Sequence, residues 1–166
     1  MMISKKIDKG VAMIGLILFM LAGCSSGNEI GRAEPDSMTG EGADVVSVSV
    51  SGNEGDYRFS VEISSPDTGC GQYADWWEVV SEEGELIYRR VLLHSHVNEQ
   101  PFTRSGGPVA IDANQKVWVR AHINNSGYGG NALLGSVEDG FESTEPEENF
   151  ASDLENKEPL PDGCAF

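Results

Sequence analysis

Between residues 44 and 137, apolar side chains recur at every second position, in short runs parted by turn residues. Tyr57, Phe59, Val61 and Ile63 fall on one side of an extended chain, and Arg58, Ser60 and Glu62 on the other. Residues 45–50 alternate valine with serine, and Val117, Val119, Ala121 and Ile123 repeat the pattern. Residues 73–80, 85–93 and 131–137 read as three further β runs. The joints carry turn chemistry, as in Ser51-Gly52-Asn53-Glu54-Gly55, Ser81-Glu82-Glu83-Gly84 and the Gly- and Asn-rich residues 124–130. Pro101 and Gly106-Gly107-Pro108 break the stretch before residue 116. Within this region no helical spacing lasts ten residues, and with 20 glycines and 7 prolines the chain favours turns over long helices. Six or seven short, evenly spaced strands specify one antiparallel β-sandwich over residues 44–137.

The segment before it carries an address. Lys5, Lys6 and Lys9 precede an apolar run at residues 11–22. A bilayer span needs about 20 apolar residues, so this run suits a secretory signal instead. It ends in Leu21-Ala22-Gly23-Cys24, which resembles the lipobox of bacterial lipoproteins. The resemblance implies cleavage before Cys24 and a diacylglycerol on its thiol. Ser25 in place of aspartate resembles outer-membrane sorting where a cell has two membranes. The expectation is a signal peptide at 1–23, a flexible tether at 24–43 and a place in the bacterial cell envelope, outer membrane included. The formal charge of −16 argues against nucleic acid, because phosphate binding needs a basic surface. Anionic lipid also repels such a surface, which leaves the Cys24 anchor as the route to the membrane.

Of the 3 cysteines, Cys70 and Cys164 remain after Cys24. In an exported chain they read as one disulfide. Residues 138–166 hold many acids, one base (Lys157) and three prolines, and alone would be disordered. The bridge at Cys164 is expected to tie this acidic tail back to the body.

The string Val117-Trp118-Val119-Arg120-Ala121-His122-Ile123-Asn124-Asn125-Ser126-Gly127-Tyr128-Gly129 resembles the penultimate strand and loop of fibronectin type III domains. It implies an immunoglobulin-like sandwich and no particular activity, since such folds host unrelated functions. Two departures stand out: the 57–63 strand lacks that family's tryptophan, and two extra residues precede the turn. Ser65-Pro66-Asp67-Thr68-Gly69-Cys70-Gly71-Gln72-Tyr73-Ala74-Asp75-Trp76-Trp77-Glu78-Val79, continued to Arg104-Ser105-Gly106-Gly107, also resembles uncharacterised bacterial lipoproteins.

Three constellations are candidate sites. Arg89, Arg90, Arg104 and Arg120 concentrate positive charge in an acidic chain, and read either as an anionic-ligand patch or as the seat of the chain's own tail. Adjacent strand residues point to opposite faces, so one of Trp76 and Trp77 is core. The other could stack on a sugar, as in carbohydrate-binding modules, or lie under a loop or the tail. His94 and His96 share a strand face and, with His122, could supply three ligands of a zinc-dependent enzyme; surface or hydrogen-bonding histidines are the favoured reading. Asp75 and Glu78 alone make no glycosidase pair. No nucleophile elbow, metalloprotease, P-loop or dinucleotide motif is present, and no cofactor is implied. The functional expectation is a non-catalytic binding or structural module with an envelope-protein or glycan partner.

Overall fold

The computed structural model describes residues 42–165; the expected signal peptide, Cys24 and the expected tether up to residue 41 lie outside them. Eight strands follow in order: β1 (Asp44–Asn53), β2 (Asp56–Ser64), β3 (Ala74–Ser81), β4 (Leu86–Val91), β5 (Phe102–Val109), β6 (Val117–Ile123), β7 (Ala132–Ser136) and β8 (Gly140–Thr144). They form two antiparallel sheets, β1-β2-β5 and β4-β3-β6-β7-β8. The inward residues of the alternating runs fill the space between the sheets. Phe59, Val61 and Ile63 of β2 meet Trp77 and Val79 of β3 and Val117 and Val119 of β6, all fully buried. Burying one such side chain stabilises the fold by about 1.5–3 kcal/mol over leaving it exposed.

Two strands differ from the sequence expectation. β5 contains Gly106-Gly107-Pro108, the string that marked a break. The glycines serve packing. A Cβ on Gly106 would come within 2.5 Å of the Tyr88 hydroxyl and 3.0 Å of the Trp77 ring. One on Gly107 would meet the Tyr57 carbonyl oxygen at 2.6 Å. β8 lies inside the stretch expected to be tail. A tight turn makes it: Ser136 Oγ donates to Asp139 Oδ2, the Asp139 N–H donates to Ser136 Oγ, and Gly140 takes φ 87°. Phe141 then meets Phe59 edge-on at 5.9 Å, which gives this acidic stretch an apolar anchor.

Residues 145–165 form a strap across the outer face of the larger sheet. A short 3-10 helix, Ser152–Asn156, buries Leu154 there. Phe150 packs near Trp118, with ring centroids 5.4 Å apart. The end is fixed by the Cys70–Cys164 disulfide and by the Ala165 N–H donating to the Leu93 carbonyl. The strap explains why every residue of β3 is buried: one face looks at the other sheet, and the other face is covered.

The bridge closes a sequence separation of 94 residues. Loops of that size carry about 4–5 kcal/mol of stabilisation in the chain-entropy account. Cys164→Ser is expected to lower the stability measured by denaturant titration by up to that amount. Limited proteolysis should then cut first within residues 145–163; an unchanged digestion pattern would show that the strap holds without the bridge.

Candidate functional site

On the outer face of the larger sheet, β3 runs between β4 and β6. Glu78 of β3 is in direct register with Arg89 of β4 and with Arg120 of β6. Its Oε2 accepts from Arg89 Nε at 2.8 Å, and its Oε1 accepts from Arg120 Nε at 2.8 Å. Each guanidinium also reaches the carboxylate through Nη2. The carboxylate is fully buried and both guanidiniums nearly so. One carboxylate cannot satisfy ten N–H groups, and the strap supplies the rest. Arg89 donates to the carbonyls of Leu154, Lys157 and Pro159, and Arg120 to those of Phe150 and Ala151. Tyr128 lies over the Arg120 guanidinium at 3.6 Å from the ring centroid. Burial and the nearby Glu78 charge hold the Tyr128 hydroxyl far above the ordinary tyrosine range. The strap is thus held by its backbone carbonyls, not by its acidic side chains. Removing one partner of a buried ion pair costs about 3–5 kcal/mol, because a desolvated charge is left behind. Glu78→Ala is expected to lose that much in thermal or denaturant unfolding, while Glu142→Ala on exposed β8 should be near neutral.

The four arginines do not form one cationic patch. Arg89 and Arg90 are adjacent on β4 and so face opposite ways; Arg89 is buried and Arg90 is exposed. Arg104 is on β5, in the other sheet, where it donates to Glu99 Oε2 at 2.8 Å. Only Arg89 and Arg120 come together, and the strap and Glu78 occupy them.

Trp77 is core, with no exposure, as one of the pair had to be. Trp76 lies on the outer face but is only 3% exposed. His122, its register partner on β6, stacks on the indole at 3.6 Å, and the Arg89 guanidinium lies 4.4 Å from its centroid. Neither indole therefore offers a face for sugar stacking. The Trp76 indole N–H is buried without a hydrogen-bond partner. His122 Nδ1 is 2.7 Å from Asp75 Oδ1, and its Nε2 is 3.9 Å from Glu155 Oε1 on the strap. Burial pushes the Asp75 carboxyl above the ordinary range, and the His122 hydrogen bond pulls it partly back. With Asp75 ionised, Nδ1–H donates to it, and Nε2 faces the Glu155 carboxylate. These groups floor an open cleft of about 680 Å³, walled by residues 124–127 on one side and the strap on the other.

The other two histidines sit elsewhere, on the loop between β4 and β5. His96 is buried and stacks on Phe102 at 3.7 Å. Neither of its ring nitrogens has a hydrogen-bond partner. His94 is exposed, with its ring 4.4 Å from that of His96. The three histidines considered as zinc ligands are therefore divided between two places. Among the described residues, no group of three or more His, Cys, Asp or Glu side chains is placed to hold a metal ion. The loop is clipped instead by Asp67, which accepts from the Ser65 hydroxyl at 2.6 Å, the His96 N–H at 2.7 Å and the Ala74 N–H at 3.0 Å.

Burial, then the charges of Arg104 and His94, hold the His96 pKa below the ordinary 6.5. The unfolded chain therefore binds a proton here more readily than the folded one, so acid favours unfolding. This contribution is complete above about pH 6.5 and is lost as the pH falls toward the depressed value. Unfolding titrations at pH 7 and pH 5 should show a smaller loss of stability for His96→Gln than for the unaltered protein. Equal losses would show that His96 does not sense the change.

No protein-family model matches this chain, and no solved structure matches it. A curated protein of Halomicrobium mukohataei named "Putative lipoprotein" is 41% identical over 83 residues. That match covers 50% of this chain and 41% of the relative's own length.

Proposed function

We propose that this chain is a lipid-anchored cell-envelope protein whose β-sandwich does non-catalytic binding or structural work outside the cytoplasmic membrane. The observation that carries this reading is Leu21-Ala22-Gly23-Cys24, placed directly after a charged start and a short apolar run. The name of the Halomicrobium relative supports it. So does a body closed by a disulfide, a bond at home in oxidising compartments. Where the host has two membranes, Ser25 favours the outer one.

The immunoglobulin-like reading of the body has support in the strand order. β1-β2-β5 facing β4-β3-β6-β7 corresponds to the A-B-E and C′-C-F-G division of immunoglobulin-type sandwiches. Trp77 then occupies the strand on which such domains bury their core tryptophan. β8 and the strap are additions to that plan.

Cell fractionation tests the anchor. The unaltered protein is expected in the membrane fraction, and metabolic labelling with a fatty acid should mark it. Cys24→Ala should appear unlabelled, either released from membranes or retained as the longer unprocessed form. A variant that is cleaved correctly yet stays with membranes would point to a different anchor.

A further inference from the structure

We propose that the cleft above Asp75, Trp76 and His122 binds a neutral, hydroxyl-rich ligand, namely a mono- or disaccharide. The proposal names a ligand class for the binding module proposed above, and rests on that reading for the supply of sugars outside the cell.

The lining carries both hydrogen-bonding senses. Glu155, 44% exposed at its side chain, offers carboxylate acceptors, and His122 Nε2 lies beside it. Asn125 and Asn156 line the same space with amides that both donate and accept. Trp76 lines it as well, although its indole N–H, like that of Trp77 in the core, is buried out of reach of an occupant. A hydroxyl group is the ligand chemistry that donates and accepts at one atom, which suits this mixture. The volume of about 680 Å³ falls within the range of small-molecule sites, about 300–1,000 Å³.

The same residues reject the neighbouring chemistries. Asp75 and Glu155 put negative charge at the floor and the wall, and the whole chain carries −16, so a uronate or a sugar phosphate is repelled. The His122–Glu155 separation of 3.9 Å, with no metal-holding group of three His, Cys, Asp or Glu among the described residues, does not make a metal site. The stacking face of Trp76 is already covered by His122 and Arg89, so recognition runs through hydroxyl hydrogen bonds at the cleft floor. Burial and the charges of Asp75 and Asp67 hold the Tyr73 hydroxyl above its ordinary range, so it stays a neutral donor at the edge of the site. One wall belongs to the strap, through Leu160, Pro161 and Gly163 beside the Cys164 bridge. That bridge holds the wall in place before any ligand arrives, which lowers the ordering cost of binding.

The test is calorimetric titration of the detergent-solubilised full chain with glucose, galactose, N-acetylglucosamine, maltose, glucuronate and glucose 6-phosphate. At least one neutral sugar is expected to bind, and each anionic sugar at least tenfold more weakly. Glu155→Ala and Asn156→Ala, both exposed and outside the core, should each weaken the neutral sugar at least tenfold. Arg90→Ala, on the opposite face, should leave it unchanged. Reduction of the disulfide should weaken binding as well. Absence of binding by every neutral sugar, equal binding of the anionic ones, or indifference to both cleft variants would overturn the proposal. The anchor reading is judged separately by fractionation of Cys24→Ala, so failure of one leaves the other standing.

Discussion

The carboxylate of Glu78 is the hinge of this molecule's organisation. It sits on the middle strand of three, takes an arginine from each side, and has no contact with water. An isolated charge in that position would be prohibitive, and even a well-made buried pair gains little net energy. The arrangement is tolerable because the two guanidiniums spend their remaining N–H groups on carbonyls of one segment. The strap needs the arginines to satisfy its carbonyls, and the arginines need the strap to complete their shell. Charge here selects a structure: only a segment with carbonyls at those positions can lie on that face.

Much of the body was legible in the sequence. Period-two alternation located β1, β2 and β6 to within a few residues, because one buried face writes a pattern that survives without context. β3 was visible as a run, and its eight buried residues explain why it did not alternate cleanly. β5 was hidden because its glycines read locally as a break, while the reason for Gly106 is the bulk of Tyr88 and Trp77 from the other sheet and that for Gly107 is the neighbouring Tyr57 carbonyl of β2. β8 was hidden by composition: the Asp139-Gly140 turn signal was present, but the surrounding acids outweighed one phenylalanine in the reading.

The candidate site was less legible, for a different reason. Residue types were right and company was wrong. Arg89 and Arg120 stood out as cations, yet their partner Glu78 looked like one more acid in an acidic chain. His122 was grouped with His94 and His96 by type, whereas the sheet register pairs it with Trp76 and sets it beside Asp75. Glu155 was lost among the acids of the final stretch. Each of these associations is long-range, and no local spacing records which strands become neighbours. The cysteine pair is the exception, since an exported chain with two remaining thiols leaves one pairing to consider.

The strap also sets an order of events. β3, β4 and β6 are all synthesised before residues 150–159, so for a time the chain holds Glu78, Arg89 and Arg120 with no carbonyls to cover them. Until the strap arrives, that face of the sheet is open to water, which solvates the three charges. The outer face can close only when that segment has been made and Cys164 can meet Cys70. Completion of the fold is thereby deferred until residues 150–164 are in place.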